Sequence, residues 1–135
     1  MRNRRAVALW VAAIAYAAAI FVASSIPAPA PEVSQVPVSD KALHALEYGL
    51  FALLLAMAIA TVRDSRIHSY AAVLAFIVAA LYGVSDELHQ TFVPSRVGDL
   101  IDLAWDVAGA AIAAVAFHVV ALRGRGRAVS DTSPR

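Results

Sequence analysis

The chain alternates between long apolar stretches and short polar segments. Four stretches are apolar enough to be read as membrane spans, and they cover residues 6–26, 42–62, 69–85 and 100–122. A helix needs about 20 mostly apolar residues to cross the hydrocarbon core of a bilayer, and the third stretch is the shortest. None of the four alternates polar and apolar residues with a period of two, as a membrane β-strand does. The pattern therefore predicts an all-α fold, a membrane-spanning four-helix bundle.

Composition supports a membrane protein. Of the 135 residues, 61% are hydrophobic and only 16% are charged, and the mean hydropathy is +0.70. Soluble domains carry about 45–50% apolar and about 25% charged residues. We expect one transmembrane domain over residues 1–122 and a disordered basic tail over residues 123–135. The absence of cysteine excludes disulfides, thiol catalysis and zinc bound by cysteine.

The distribution of basic residues predicts the orientation. They lie before the first span, between the second and third spans, and after the fourth: Arg2, Arg4, Arg5, Arg63, Arg66, Arg123, Arg125 and Arg127. The other two connections hold only Lys41 and Arg96. Because cytoplasmic loops carry an excess of lysine and arginine, both termini are expected in the cytoplasm. We thus expect a multi-pass protein of the inner membrane, with an extended outer loop at residues 27–37.

The N-terminus also resembles a signal peptide. An arginine-rich start precedes an apolar core, and Ala28-Pro29-Ala30 resembles a cleavage site. The apolar core is longer than the usual signal core of about 7–15 residues, which favours a retained span. Cleavage remains the alternative interpretation at this point.

Two polar trios mark the start of the second and fourth spans. Asp40, His44 and Glu47 form the first trio; the second consists of Asp99, Asp102 and Asp106. Spacings of three and four residues place each trio within roughly 60° of one helix face. Ionisable residues persist in lipid mostly where they line a site or pair with one another. The predicted topology puts both trios on the outer side, together with a third polar segment, residues 86–96.

The motifs in this order resemble a known family. Ser24-Ser25-Ile26-Pro27 closes the first span, residues 40–48 open the second, and residues 82–96 close the third. The second trio, followed by Gly109, opens the fourth. This arrangement resembles the VanZ-like family of small bacterial integral membrane proteins. The family often has asparagine where this chain has Asp106. It is named after a member linked to low-level resistance to the glycopeptide teicoplanin, so the resemblance implies a role at the cell envelope.

The polar residues of the outer side are the candidate site. Those expected to act in catalysis are His44, Glu47, Asp86, Glu87, His89 and Asp102. Those expected to bind substrate are Asp40, Lys41, Tyr48, Gln90, Arg96, Asp99 and Asp106. Structural roles compete with these functional ones. Asp40 and Asp99 are suitable helix caps, and Glu47 is suited to an ion pair with Lys41 or Arg96.

Three mechanisms fit these residues. In the first, the protein recognises or modifies an envelope lipid or a lipid-linked cell-wall precursor, with Lys41 and Arg96 contacting its phosphate. The second is a membrane-embedded hydrolase or transferase that uses His44 or His89 as acid or base. Its divalent cation would be bound by oxygen ligands from Glu47, Asp86, Glu87 and Asp102.

In the third mechanism, Glu47 and Asp106 carry protons in a small transporter. The first mechanism is preferred because of the family resemblance. Membrane lipids or lipid-linked precursors are the expected partners, and nucleic acid is not. No metal-binding spacing such as His-Glu-x-x-His occurs in the sequence, so the metal and any other cofactor stay open.

Overall fold

A computed structural model describes residues 2–27 and 39–131. This part of the chain forms five helices: α1 (Arg2–Ser24), α2 (Ser39–Ile59), α3 (Ser65–Ser69), α4 (Ala71–Gln90) and α5 (Leu100–Asp131). No β-strand occurs among these residues, so the predicted all-α class is confirmed. The predicted outer loop, residues 27–37, lies outside the described residues except for Pro27.

The four long helices are all suited to a membrane. Each is long and apolar enough to cross a bilayer. Each also turns large apolar side chains away from its neighbours: Ile14, Leu46, Leu81 and Ile112 are 66%, 69%, 64% and 70% exposed. So much outward-facing apolar surface is unfavourable in water and favourable in lipid. The length of the four helices and their outward-facing apolar side chains therefore support the assignment of the chain as a membrane protein.

The third long helix extends beyond its predicted end. The apolar stretch stops at Ser85, whereas α4 continues to Gln90. Asp86, Glu87 and Gln90 are buried within this extension, because their side chains face the other helices. Hydropathy marks the lipid-facing part of a helix, but the helical backbone continues wherever polar side chains find a protein environment.

The fourth long helix also continues beyond its predicted end. We expected a disordered tail from Arg123, but α5 runs to Asp131. Arginine and alanine favour helix, and a turn added to an existing helix needs no new nucleus. Glycines 124 and 126 weaken helix by about 1 kcal/mol each without ending it. Residues 132–135 lie outside the described residues.

Helix α2 lies at the centre of the packing. It makes its largest interface with α5, and α4 packs against both α2 and α5. Helix α1 packs mainly against α2. The middle of the bundle is filled by small and aromatic apolar residues that are at most 3% exposed: Phe51, Ala52, Ala56, Ala75, Ala79 and Ala110.

Glycine allows α2 and α5 to approach closely. A Cβ atom added to Gly109 would lie 1.9 Å from the carbonyl oxygen of Ala45. A Cβ atom on Gly49 would lie 3.2 Å from the carbonyl oxygen of Gly109. Small residues permit such close crossings between membrane helices. The crossing holds the first turns of α2 beside the first turns of α5, which carry the two polar trios.

Candidate functional site

Four helix ends meet at the same end of the bundle. Helices α1 and α4 finish there, and α2 and α5 begin there, as shown by contacts between Ser24 and Asp86 and between Lys41 and Asp102. We call this end the polar mouth and define it by His44, Glu47, Asp86, Glu87, Asp102 and Asp106. The mouth gathers polar residues that lie far apart in the sequence.

Lys41 connects the starts of α2 and α5. Its ammonium group pairs with Asp102 and lies 3.5 Å from Oδ2 of Asp99. Asp99 also caps α5, since its Oδ1 accepts a hydrogen bond from the Ile101 amide at 2.7 Å. That amide, together with the charge of Lys41, lowers the pKa of Asp99 below its ordinary value. The capping role expected for Asp99 is confirmed.

His44 and Asp106 form a buried pair. Nδ1 of His44 lies 2.9 Å from Oδ1 of Asp106, and Nε2 lies 3.8 Å from Oδ2 of Asp102. Asp106 is fully buried, whereas His44 is half-buried. A carboxylate bonded to one ring nitrogen sets the tautomer and leaves the other nitrogen for chemistry. The pair therefore has the form of an oriented acid or base.

Glu87 anchors the loop between α4 and α5. Its Oε2 accepts a hydrogen bond from the backbone amide of Asp99 at 2.7 Å. The loop also lies close to α4, because a Cβ atom on Gly98 would be 2.8 Å from the Glu87 carbonyl oxygen. Glu87 is 7% exposed. One side chain thus joins the end of α4 to the start of α5.

Asp86 belongs to a second network that reaches α1. Its Oδ2 lies 2.8 Å from the hydroxyl of Ser24 and accepts a hydrogen bond from Nε2 of Gln90 at 3.1 Å. Arg96 donates to Oε1 of Gln90 at 3.4 Å. This chain of contacts ties α1, α4 and the following loop together.

Arg96 and His89 both contact the end of α1. Arg96 donates to the carbonyl oxygens of Ile26 and Ala23 at 2.7 and 3.1 Å. The ring of His89 stacks on Phe21 with centroids 4.6 Å apart, and its Nε2 lies 3.0 Å from the Ser25 hydroxyl. The guanidinium is therefore occupied by protein acceptors, and His89 lies on the α1 side of the bundle.

Four buried oxygen atoms of the described residues have no hydrogen-bond partner. They are Tyr48 Oη, Asp86 Oδ1, Glu87 Oε1 and Asp106 Oδ2. Buried polar atoms are nearly always hydrogen-bonded, because an unpaired one is costly to remove from water. All four belong to the polar mouth or adjoin it. Their concentration at one end indicates a place for water, a cation or a ligand group.

The predicted site residues thus divide into groups. One network contains Lys41, His44, Glu87, Asp99, Asp102 and Asp106. A second contains Asp86, Gln90 and Arg96, and His89 lies against α1. Asp40 is exposed at the rim, and Tyr48 is buried beneath the mouth.

Glu47 is half-buried, and its carboxylate lies within electrostatic range of His44, Asp86 and Asp106. In the described part of the chain neither Lys41 nor Arg96 pairs with Glu47, since Lys41 pairs with Asp102 and Asp99 instead. The ion pair considered as a purely structural role for Glu47 is absent there.

Sequence reasoning did not assign Ser24 and Ser25 to the site. Both lie at the end of an apolar helix, and both contact polar residues of α4. The sequence did contain an indication of their role, because two adjacent serines follow a long stretch without charge. Which helix they would face depends on packing and cannot be read from their position.

Among the residues that the structure describes, two groups have ligand atoms close enough to share a metal ion. His44, Glu87 and Asp106 form one group, and Asp40, His44 and Asp102 form the other. In each group the three ligand atoms lie within 4.8 Å of one another. Oxygen ligands with one imidazole suit Mg²⁺, Mn²⁺ or Zn²⁺.

Comparison with known proteins gives one family. The sequence model of the family described as VanZ/LLP1 matches residues 5–121. Neither the curated proteins nor the solved structures compared with this chain gave a match. The matched region includes the four helix ends that form the polar mouth.

Proposed function

Because the chain belongs to the VanZ/LLP1 family and has four helices suited to crossing a membrane, we propose that it acts at the outer face of the inner membrane. There it recognises or modifies an envelope lipid or a lipid-linked cell-wall precursor. Tolerance of glycopeptides such as teicoplanin is the expected consequence, given the resistance linked to the family.

The buried, unpartnered oxygens of the polar mouth are the observation that carries this proposal. Asp86, Glu87 and Asp106 each have one carboxylate oxygen in a hydrogen bond and the other buried without a partner. A bundle that served only as a scaffold would be more stable with apolar residues at such positions. Acceptors without a protein partner are suited to a polar ligand from the membrane.

The position of the basic residues supports an outward orientation of the polar mouth. The N-terminal arginines, Arg63 and Arg66 all lie at the end of the bundle away from the mouth. The positive-inside rule assigns that end to the cytoplasm. The mouth then faces the outer leaflet, where envelope lipids and exported precursors are accessible.

The charged groups of the polar mouth that lack a protein partner determine which chemical groups of a ligand it can bind. Arg96 is bonded to backbone carbonyls and Gln90, and Lys41 is paired with Asp102 and Asp99. Lys41 and Arg96 therefore already have partners within the protein. This weighs against the direct phosphate contact that the sequence predicted for both side chains. The free atoms are mostly carboxylate oxygens, so we propose that they accept hydrogen bonds from hydroxyl, amide or ammonium groups of the ligand.

A membrane-embedded hydrolase or transferase is the second candidate. The observation that favours it is the buried His44–Asp106 pair, with the other ring nitrogen of His44 directed toward Asp102. In this version His44 moves a proton on the bound lipid or precursor while Asp106 orients the ring. Binding alone does not need an oriented imidazole, whereas a proton transfer does.

The proton-coupled transporter receives the least support. A cavity of about 570 Å³ at the opposite end of the bundle is lined partly by Arg5, Arg63 and His68. Between this cavity and the polar mouth the described core is apolar, with Phe51, Ala56 and Ala79 buried there. A transport path needs polar groups near the middle of the membrane.

The proposal is tested by lipid and precursor profiling of a deletion strain. The strain is complemented with the wild-type gene, His44→Ala, Glu47→Gln or the control Asp64→Asn, which alters an exposed cap of α3. We expect the wild type and the control to restore the profile and teicoplanin tolerance, and both mouth variants to fail. A deletion strain whose lipids, precursors and tolerance equal those of its parent would contradict the proposal.

These strains, with an Asp102→Asn strain added, separate binding from catalysis. A binding protein should lose function gradually, so Asp102→Asn would retain part of the activity. An acid–base enzyme should lose essentially all activity in His44→Ala, and the unmodified substrate should accumulate to the level of the deletion strain. Immunoblots of membranes verify that every variant is inserted at the wild-type level.

A further inference from the structure

We propose that His44, Glu87 and Asp106 bind a divalent cation at the base of the polar mouth. The proposal rests on the proposed function only in placing the working site at the polar mouth. It adds a cofactor to that site and assigns its ligands. Binding of the ion is measurable without knowledge of the lipid or precursor.

The geometry comes from three helices. His44 lies on α2, Glu87 on α4 and Asp106 on α5, and their ligand atoms lie within 4.8 Å of one another. Glu87 and Asp106 are 7% and 0% exposed. Each uses one oxygen in a protein hydrogen bond, and Glu87 Oε1 and Asp106 Oδ2 stay buried without a partner. A cation supplies the partner that both oxygens lack.

Tyr48 supplies an independent observation. Its hydroxyl is the fourth buried atom without a partner, and Tyr48 is 1% exposed. Its ring lies beside Asp106, because Cε1 of Tyr48 and Cβ of Asp106 are 3.3 and 3.6 Å from a Cβ position built on Gly83. The Tyr48 hydroxyl and Asp106 Oδ2 are therefore two buried atoms without a partner in the same region of the bundle.

The balance of charge favours a cation. Lys41 pairs with Asp102 and Asp99, nearer the rim, and Arg96 contacts α1 and Gln90. In the described residues neither basic side chain pairs with Glu87 or Asp106. Asp106 contacts the imidazole of His44, and the hydrogen bond to Glu87 comes from a neutral backbone amide. One imidazole cannot balance two buried carboxylates, and a metal ion is one of the few groups that compensates both.

The geometry selects one of the four ligands predicted from the sequence, which were Glu47, Asp86, Glu87 and Asp102. Only Glu87 of these belongs to the group with His44 and Asp106. Asp102 is paired with Lys41, and Oδ2 of Asp86 accepts hydrogen bonds from Ser24 and Gln90. Carboxylate oxygens with one imidazole are ligands for Mn²⁺ as well as for Zn²⁺ and Mg²⁺. We choose Mn²⁺ as the probe because it is paramagnetic, so electron paramagnetic resonance can follow the free ion during a titration.

The test measures Mn²⁺ binding to the full chain purified in detergent. After treatment with a chelator, the protein is titrated with Mn²⁺, and free ion is followed by electron paramagnetic resonance. We expect one ion per wild-type chain and an affinity at least about tenfold lower for Glu87→Gln and Asp106→Asn. Asp64→Asn is the control, since it alters an exposed carboxylate that caps α3 outside the polar mouth, and should bind as the wild type does.

A second measurement, the thermal unfolding temperature with and without Mn²⁺, tests the proposal even if one variant folds poorly. Glu87→Gln removes an uncompensated charge, so without metal it should unfold at or above the wild-type temperature. Added Mn²⁺ should raise the wild-type unfolding temperature and leave that of Glu87→Gln unchanged. Wild-type protein that binds no Mn²⁺ and is not stabilised by it would overturn the proposal, as would equal binding by the wild type and Glu87→Gln. Either result leaves the lipid-profiling test of the proposed function unaffected.

Discussion

Asp86 shows how one residue connects α1 to the polar mouth. Its carboxylate is buried near the end of α4 and contacts the hydroxyl of Ser24 on α1. The same oxygen accepts a hydrogen bond from Gln90, one helical turn further along α4. Helix α1 also contacts α4 where His89 stacks on Phe21 and where the Tyr82 hydroxyl donates to the Ala17 carbonyl oxygen. The Ser24 hydroxyl is therefore one of several contacts that dock α1 on α4.

Ser24→Ala is expected to weaken this docking. Asp86 keeps its bond to Gln90, so the loss should be near the average for hydrogen bonds between membrane helices, about 0.6 kcal/mol of unfolding free energy. Reversible unfolding in mixed micelles measures the change. Ser85→Ala is the control, because the exposed Ser85 hydroxyl bonds only to its own helix. Equal effects of the two substitutions would show that the contact with Asp86 contributes nothing.

At the scale of helices, the crossing of α2 and α5 brings the polar trios together. Its closest point is Gly109, whose backbone lies against the carbonyl of Ala45. Four residues further along α2, Gly49 packs against Gly109 in turn. His44 lies beside Ala45 on α2, and Asp106 lies one turn before Gly109 on α5. The distance between the helices thus determines whether the His44–Asp106 pair forms.

Gly109→Ala is expected to separate α2 and α5. The new methyl group would meet a backbone atom, which cannot rotate away, so we expect a loss of about 1–3 kcal/mol in unfolding free energy. Gly124→Ala is the matched control on the same helix, since a Cβ atom there meets nothing within 4 Å. It should leave stability unchanged or raise it by up to about 1 kcal/mol. A Gly109→Ala variant as stable as the wild type would contradict the close crossing.

At the scale of the whole molecule, the connections place all the polar helix ends on one side. The end of α1, the start of α2 and the connection between α4 and α5 lie at the polar mouth. The basic residues near α3 lie at the opposite end. The molecule is therefore asymmetric across the membrane, and the proposed function requires the mouth to face outward.

Cysteine labelling tests this orientation. The chain contains no cysteine, so Val97→Cys and Ser65→Cys each introduce a unique thiol at an exposed position. Val97 lies beside the mouth and Ser65 begins α3. We expect a membrane-impermeant maleimide to label Val97→Cys in spheroplasts, and Ser65→Cys only after the membrane is permeabilised. The reverse pattern would place the mouth in the cytoplasm and contradict the proposed function.

Most of the fold was predictable from the sequence. The apolar stretches predicted the four long helices because lipid-crossing segments must be apolar and long. Helix ends were less predictable, since α4 continues through Asp86, Glu87 and Gln90 after its apolar stretch stops. The short helix α3 was not predicted. It depends on the side chain of Asp64 accepting hydrogen bonds from the amides of Arg66 and Ile67.

The sequence by itself determined which side chains are costly in a membrane and on which helix faces they lie. Its spacing placed His44 with Glu47 and Asp102 with Asp106, because helical geometry acts over three or four residues. Tertiary structure alone decided that His44 pairs with Asp106, that Lys41 pairs with Asp102, and that Ser24 faces Asp86. These partners lie about sixty residues apart. Their pairing depends on how closely α1, α2, α4 and α5 pack, a property of side-chain volumes across several helices at once.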